Sequence, residues 1–255
     1  TGLGVLAPNG NSLTQYWNAL ISGKSGIGPI KGFDAENLSV KIAGELSDFN
    51  PEDHFNRKEV GKLDPFSIYA LVTAQEAISQ AGLNNGDVNK ERIGVIIGTG
   101  VGGIQTLESQ HSVLLSRGQR RVTPYFVPKF IANIAAGQIA IHHGFQGTNH
   151  TVISACASGT DAIGTAARTI QYGDADVVIT GGTEASVTPL TISGFANMRA
   201  LSTRNDDPTG ASRPFDLDRD GFVLGEGAAS LILEDAEHAD KWGRKQASKI
   251  LESII

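Results

Sequence analysis

The chain has 255 residues, a formal net charge of −6, and 40% hydrophobic and 19% charged residues. This composition is typical of a folded globular protein and excludes a largely disordered chain. A mildly acidic chain is poorly suited to bind nucleic acid or an anionic membrane surface. Its single cysteine rules out an internal disulfide and a multi-cysteine metal site, and it indicates a reducing compartment. The apolar runs are all shorter than the ~18 residues of a membrane-spanning helix.

Apolar periodicity and turn residues predict strands and helices in alternation. The first residues, TGLGVL, resemble the end of a strand, and Asn11 or Ser12 is expected to cap a helix that carries Leu13, Trp17 and Ile21. Further helices are predicted at residues 66–81, 103–117, 130–143 and 157–172, and strands at 40–43, 93–97, 152–155 and 175–180. Residues 222–234 predict a hairpin or a bulged strand pair, and the final KILESII is strand-like.

Strands that alternate with long helices are typical of an α/β domain with a mostly parallel sheet covered on both faces. The run at residues 93–97 is apolar throughout, as expected for a strand that is buried on both sides. The sequence therefore predicts a layered α/β fold.

The strongest candidate site is Cys156, in the sequence SACASG. A predicted strand ends directly before it and a predicted helix begins directly after it, which is the arrangement of a nucleophile at a strand–helix turn. The free N–H groups at a helix N-terminus favour the thiolate form of a cysteine. A lone cysteine is also commonly a small buried hydrophobe. The spacing alone leaves these two interpretations equally open.

A second motif is glycine-rich. Gly98, Gly100 and Gly103 match G-x-G-x-x-G between a predicted strand and a predicted helix, the pattern of dinucleotide-binding proteins. An acidic residue about 20 positions later would be expected to bind the ribose. Arg120 and Arg121 stand there instead and would suit only a 2′-phosphate. We therefore favour a tight turn and keep an NADP-binding oxidoreductase domain as a weaker alternative.

Two polar groups remain. Asp216, Asp218 and Asp220 imitate the start of a calcium loop, but position twelve of such a loop falls on Gly227, so a salt-bridged structural turn is favoured. The second group consists of His142, His143 and His150, which precede the predicted strand that leads to Cys156. One of them would be conceivable as a partner of the thiol. Helix-end histidines and a solvated loop residue are the ordinary interpretation of these positions.

Three segments together carry a family resemblance: SACASG around Cys156, GDADVVITGGTEA, and RPFDLDRDGFVLGEGAASLILE. With them the chain, from its start to about His238, resembles the β-ketoacyl-acyl-carrier-protein synthases of type II, which are thiolase-fold condensing enzymes. The resemblance implies a thiolase-like, layered α-β-α half with a mostly parallel mixed sheet. It also implies an acyltransferase of fatty acid chain elongation, located in the cytoplasm and requiring neither a cofactor nor a metal.

The resemblance also assigns residues. Cys156 would take the acyl chain as a thioester, after which a malonyl-carrier-protein thioester decarboxylates and condenses with it. Val101 falls where the end of the acyl pocket is shaped, and Phe126 and Val127 fall where the neighbouring subunit closes that pocket. The strand around Ile179 would pair across the two-fold axis of a homodimer. Five basic residues match positions that bind the acidic acyl-carrier protein in this family, namely Lys58, Lys62, Arg120, Arg121 and Arg199. Without the resemblance they could equally be scattered surface charge.

The family is built from two similar halves, and the nucleophile lies in the first. Two catalytic histidines, a lysine and a second oxyanion donor lie in the second half. We therefore expect residues 1–255 to form one domain, the N-terminal half of such a synthase, without the C-terminal half. The segment ADKWGRKQASKILESII departs from the family pattern. A catalytically impaired half that only folds or dimerises is the alternative to an active condensing enzyme.

Overall fold

The computed structural model describes residues 1–84 and 88–243. The strands are β1 Gly2–Leu6, β2 Gly28–Pro29, β3 Ile42–Ala43, β4 Ile93–Gly98, β5 Asn149–Val152, β6 Val177–Glu184 and β7 Gly227–Glu234. The α-helices are α1 Leu13–Ile21, α2 Arg57–Val60, α3 Pro65–Gln80, α4 Ile104–Arg117, α5 Phe126–Phe130, α6 Ile134–His143, α7 Ser158–Gln171, α8 Pro189–Asn197 and α9 Ala236–Lys241. Short 3₁₀ turns include Gln119–Arg121 and Ala155–Ala157.

The central sheet has five strands in the order β1-β7-β6-β4-β5. Strand β4 runs parallel to β5 and β6, whereas β7 runs antiparallel to β6 and β1. Four strands thus share one direction and β7 opposes them, which confirms the predicted mixed, mostly parallel sheet. A second, two-stranded sheet joins β2 and β3.

The strand order corrects the expectation that the strand around Ile179 pairs across a two-fold axis. Ile179 lies in β6, opposite Val95 of β4 on one side and Ile232 of β7 on the other. Both sides of β6 are therefore occupied by strands of the same chain. The strand at the edge of the sheet beside β4 is β5.

Helices cover both faces of β4, as predicted. Ile93, Val95 and Ile97 belong to the apolar cluster that contains residues of α3 and α6. Ile96 belongs to the cluster that contains Ala162 of α7. Side chains alternate between the two faces of a strand, so an entirely apolar strand results when both faces are buried. Each fully buried isoleucine contributes about 1.5–3 kcal/mol to folding.

Helix ends follow their sequence signals. The Ser12 side chain accepts a hydrogen bond from the backbone N–H of Gln15 and caps α1. Gly82, just beyond α3, and Gly144, just beyond α6, have φ angles of +67° and +71°, which glycine adopts without a Cβ clash. Helix α1 leaves Trp17 and Ile21 exposed rather than buried.

Three predicted elements were wrong in detail. Residues 222–234 contain one strand, β7 at Gly227–Glu234, and not a strand pair, because Phe222 makes only an isolated bridge to Leu201. Strand β5 ends at Val152, three residues before the predicted end, and α6 begins at Ile134 rather than at residue 130. The strand-like KILESII lies outside the described residues.

Within residues 1–84 and 88–243, none of the helices combines the length and apolar character needed to cross a bilayer. The same described segments hold no group of three or more His, Cys, Asp or Glu side chains placed to bind a metal ion.

Candidate active site

Cys156 lies in a turn between the sheet and α7. Strand β5 ends at Val152, the 3₁₀ turn Ala155–Ala157 follows, and α7 begins at Ser158. The thiol is free and exposed, so the alternative of a small buried hydrophobe is wrong. The order strand, cysteine, helix N-terminus is the one that the sequence predicted. We call residues 154–158 the cysteine turn.

Local hydrogen bonds hold the cysteine turn in shape. The Ser158 hydroxyl donates to the carbonyl oxygen of Ala155 at 2.6 Å and accepts from the backbone N–H of Ser154 at 2.9 Å. The Ser154 hydroxyl donates to the carboxylate of Asp161. Ala155 has a φ angle of +53°, a left-handed conformation that a residue with a Cβ adopts at a cost of about 1–3 kcal/mol. The surrounding contacts therefore enforce the conformation of the residue before Cys156.

Glycines allow α7 to approach the sheet closely. A Cβ on Gly98, at the end of β4, would lie 2.2 Å from the carbonyl oxygen of Ser158. A Cβ on Gly182 of β6 would lie 3.1 Å from the Cα of Gly159. Glycines at Gly98, Gly159 and Gly182 thus seat the N-terminus of α7, and with it Cys156, on the ends of β4 and β6.

Residues 98–103, which we call the glycine loop, lie beside the cysteine turn. A Cβ on Gly100 would be 3.6 Å from the carbonyl oxygen of Ala155. Val101, in the same loop, is 46% exposed. Gly103 donates its backbone N–H to the carbonyl oxygen of Phe130, at the end of α5. The loop therefore connects Cys156 and Val101 with the helix that carries Phe126 and Val127.

Glu184, at the end of β6, accepts hydrogen bonds from the glycine loop. Its carboxylate accepts from the N–H of Gly100 at 2.6 Å and from the Thr99 hydroxyl at 3.3 Å. The backbone N–H groups of Val101 and Gly102 also act to lower the pKa of this carboxylate. A dinucleotide-binding loop offers such N–H groups to phosphate. In this protein an internal carboxylate takes them, which accounts for the glycine pattern without a nucleotide.

Phe126 and Val127 begin α5, and Phe126 is partly buried whereas Val127 is exposed. The ring of Phe126 stacks on that of Phe130, with centroids 5.6 Å apart and an angle of 3° between the planes. Val127 is 57% exposed. The structure thus presents an apolar side chain on α5 beside the glycine loop.

Four of the five predicted carrier-binding residues fall in two segments that touch. Lys58 lies in α2, Lys62 follows it, and Arg120 and Arg121 lie in the 3₁₀ turn before α5; all four are exposed. The ammonium group of Lys62 lies 5.8 Å from the ring centroid of Tyr125. The ammonium group of a further residue, Lys129, donates to the carbonyl oxygen of Gly61 at 3.4 Å.

Sequence reasoning missed Lys129, although its position in the motif PYFVPKF, just after the two arginines, was a usable signal. We call Lys58, Lys62, Arg120, Arg121 and Lys129 the basic surface.

Arg199 belongs to another segment, just after α8, and has a φ angle of +55°. It lines a cavity of about 780 Å³ together with Arg213, Arg219, Phe215 and Phe222. This combination of guanidinium groups and aromatic rings was also not predicted. The RPFDLDRDGF motif contains its residues, but their convergence depends on the path of the chain.

The predicted salt-bridged turn, residues 213–221, is held differently from what was expected; we call it the aspartate turn. Arg213 and Arg219 donate to the carbonyl oxygens of Asp218 and Asp216 rather than to carboxylates. The Asp220 carboxylate accepts from the Ser202 hydroxyl at 2.7 Å, and this bond lowers the pKa of Asp220 below its ordinary value. The carboxylates that imitate a calcium loop thus bind groups of the same chain.

His142 and His143, at the end of α6, lie among aromatic side chains. The His142 ring meets Phe55 edge-on, and His143 stacks on Phe145 at 5.4 Å. Burial lowers the pKa of His143 to about 4. His150 is exposed and lies opposite Ile96 within β5, before the strand reaches the cysteine turn. His142 and His143 thus end a helix, as predicted, whereas the prediction of a loop position for His150 was wrong, because β5 begins at Asn149.

The layered α/β fold with a cysteine at a strand–helix turn is that of the ketosynthases. The structure is similar to a beta-ketoacyl synthase from Burkholderia phymatum STM815, with a TM-score of 0.86 and 31% identity over 96% of this chain and 60% of that one. It is also similar, with a TM-score of 0.75 and 27% identity, to a ketosynthase in complex with its type II PKS acyl-carrier protein. That match covers 95% of this chain and 63% of the other.

Sequence comparison leads to the same class. The chain is 49% identical over 245 residues to 3-oxoacyl-[acyl-carrier-protein] synthase 2 of Synechocystis sp.. The match covers 96% of this chain and 59% of that protein, so the chain spans about three fifths of its relative's length. Residues 1–239 match the family described as beta-ketoacyl synthase, N-terminal domain, and the chain belongs to this family.

Proposed function

We propose that this protein is a β-ketoacyl-acyl-carrier-protein synthase in which Cys156 takes an acyl chain as a thioester. The observation that carries the proposal is the exposed thiol in a tightly held turn at the start of α7, in a chain that belongs to the ketosynthase family. The same proposal makes it an acyltransferase of fatty acid elongation. A free, exposed cysteine agrees with a reducing, cytoplasmic location.

The first step is a thioester exchange. The sulfur of Cys156 attacks the carbonyl carbon of the acyl group on the carrier protein, a new C–S bond forms, and the carrier thiol leaves with a proton. The backbone N–H of Cys156, at the helix start, supplies one donor for the developing oxyanion. The apolar chain is expected to lie toward Val101, with Phe126 and Val127 contributing to a second subunit's pocket.

The second step is a decarboxylative condensation. A malonyl thioester loses carbon dioxide, the resulting carbanion attacks the acyl carbonyl, and the sulfur of Cys156 is released. The family resemblance assigns this step to two histidines of the second half. We therefore expect this chain to form the thioester more readily than it condenses. Because loss of one oxyanion donor costs about 10²–10³ in rate, even acylation by this chain should be slow.

Acylation and decarboxylation measured in parallel test this division. Acyl-carrier protein should acylate Cys156, whereas labelled carbon dioxide release from malonyl-carrier protein should stay near background. Cys156→Ser is the matched control for the acylation arm. Brisk decarboxylation by the 255-residue chain would assign that chemistry to residues in this half and contradict the division.

The acyl-carrier protein is the proposed partner, and the basic surface together with Arg199 is its proposed docking site. The ketosynthase similar to this chain forms a complex with its acyl-carrier protein. Exposed lysines and arginines attract an acidic partner, raise the association rate and lose effect as salt increases. The contact of Lys62 with Tyr125 and of Lys129 with Gly61 keeps the α2 and α5 segments together.

Charge reversal tests the docking site. Replacing Lys58 and Lys62 with Glu should weaken carrier binding at low salt by tenfold or more, of the order expected when close charge pairs are inverted. The double variant Lys24→Glu, Lys41→Glu changes the net charge equally outside the basic surface and should bind normally. Unchanged affinity of the Lys58, Lys62 variant would move the docking site elsewhere.

A homodimer is the other proposed assembly, now through β5 rather than β6. Strand β5 forms the sheet edge, and an edge strand presents unpaired backbone groups to another chain. Ile153, directly after it, is 60% exposed. Sedimentation at micromolar concentration should show a dimer that Ile153→Lys weakens, whereas Leu20→Lys on α1 should not. A monomeric wild-type protein would contradict the proposal.

A further inference from the structure

We propose that Glu184 is a positioning residue that holds the glycine loop against the cysteine turn and so fixes Val101 and Cys156 relative to each other. This role rests on the proposed function, since it gives a purpose to the placement of both residues. Glu184 is given no role at the reacting atoms themselves. It acts through backbone groups of the glycine loop.

The bonding of Glu184 is concentrated on one short segment. Its carboxylate accepts from the Gly100 N–H at 2.6 Å and from the Thr99 hydroxyl at 3.3 Å. The Thr99 hydroxyl in turn accepts from the N–H of Gly102 at 3.2 Å. One side chain, 84 residues away from Gly100 in sequence, thereby holds the start of the loop directly and Gly102 through Thr99.

The glycine loop in turn packs against the cysteine turn. A Cβ added to Gly100 would lie 2.8 Å from the carboxylate of Glu184 and 3.6 Å from the carbonyl oxygen of Ala155. The loop backbone is thus packed between the carboxylate and the residue that precedes Cys156. At the other end, Gly98 packs against the carbonyl oxygen of Ser158. A displacement of the glycine loop would therefore change the packing of the cysteine turn on both sides of the thiol.

A carboxylate suits this position better than an amide. An ionised carboxylate is an acceptor only, with two oxygens for several N–H donors, whereas a glutamine would present its own NH₂ to them. Hydrogen bonds to an ionised acceptor are also stronger than neutral ones. Burial raises the pKa of Glu184, while the bonds from the glycine loop oppose that rise. The substitution Glu184→Gln therefore removes the charge and one of the two acceptor oxygens with little change in volume.

Amide hydrogen exchange tests the proposal in the folded chain. Glu184→Gln should speed exchange about tenfold or more in peptides containing residues 99–103 and 154–158, the order expected when charge-assisted hydrogen bonds are lost. The matched control is Glu76→Gln. The Glu76 carboxylate also accepts two backbone N–H bonds, from Val5 and Leu13 at 2.9 Å each, but in another region. It should leave both peptides unchanged.

A milder variant covers the case in which Glu184→Gln does not fold. Thr99→Val removes one donor to the carboxylate and the acceptor of the Gly102 N–H, and it should change exchange in the same peptides by a smaller factor. Normal exchange at residues 154–158 in whichever variant folds would overturn the proposal. Exchange as predicted in a protein whose Cys156 is never acylated would support the positioning role and contradict the proposed function.

Discussion

The glycine loop and the aspartate turn each imitate a ligand-binding motif, and the structure satisfies both from within the chain. In the glycine loop, N–H groups that suit a phosphate bind the carboxylate of Glu184. In the aspartate turn, carboxylates that suit calcium bind the Asp218 N–H, the Thr203 N–H and the Ser202 hydroxyl. A cluster of hydrogen-bond donors or acceptors is therefore evidence of a bound ligand only when no group of the same chain already binds them.

The two regions differ in their surroundings. The glycine loop is packed against the cysteine turn, and its residues 98 and 99 are buried. The aspartate turn is open, with Phe215 99% exposed and Leu217 93% exposed. The same kind of internal hydrogen bond should thus matter more in the glycine loop than in the aspartate turn.

Gly98→Ala should destabilise the protein most. The added Cβ would lie 2.2 Å from the carbonyl oxygen of Ser158, so α7 must move away from the sheet. We expect a loss of about 3 kcal/mol in the free energy of unfolding, measured by urea denaturation. The control is Gly164→Ala in the same helix, where the new Cβ meets none of the described atoms within 4 Å and should add about 0.5–1 kcal/mol. Equal stability of the two variants would contradict close packing.

Ala155→Val should cost less, about 1–2 kcal/mol. A φ angle of +53° is unfavourable for any side chain with a Cβ and worse for a branched one. Ala155→Gly should be near neutral, because relief of that strain is offset by the greater freedom of glycine in the unfolded chain. Thermal denaturation of the two variants checks the order. A valine variant as stable as the glycine variant would show that Ala155 is not strained.

Asp220→Asn should have a small effect, below about 1 kcal/mol. Its carboxylate accepts the Ser202 hydroxyl and the Thr203 N–H, but it lies on an exposed turn, where one hydrogen bond contributes little net stability. Urea denaturation near neutral pH measures the difference. A loss as large as that of Gly98→Ala would remove the distinction between the two regions.

The pH dependence of stability should have opposite sign in the two regions. The pKa of Asp220 is lowered, so its contribution is present above the ordinary aspartate pKa and is lost as the pH falls through the lowered value. The pKa of Glu184 is raised by burial, so its contribution declines as the pH rises above the ordinary glutamate value.

When the free energy of unfolding is plotted against pH, the Asp220→Asn variant should therefore lack a positive slope that the unsubstituted protein shows. Glu184→Gln should instead lose a negative slope. Slopes of the same sign in the two variants would contradict the assigned causes.

The sequence was most informative where one short segment decides the structure. The apolar run at 93–97 gave a strand buried on both faces, and the order of strand, cysteine and small-residue helix placed Cys156 at the start of α7. These features depend on neighbours along the chain and on the periods of strands and helices. The exposed state of the thiol, by contrast, was left open by the spacing and required the structure.

Features that depend on distant segments were missed. Glu184 stood within a quoted motif, yet its bond to Gly100 spans 84 residues. The central position of β6 was missed because β7, which follows it by more than 40 residues, pairs beside it. Lys129 joined the basic surface through its contact with Gly61, which lies in another segment. Strand order and tertiary hydrogen bonds are set by the whole chain, so local patterns do not contain them.

Peptide mapping by mass spectrometry shows whether Cys156 carries the acyl chain, as we propose. The folded protein is incubated with an acyl-carrier protein, digested and searched for the acyl mass on each nucleophilic side chain. We expect the acyl group on the peptide that contains Cys156, and we expect it to be lost from that peptide in Cys156→Ser. An acyl group found on another residue, with Cys156 unmodified in the folded protein, would show that Cys156 is not the nucleophile.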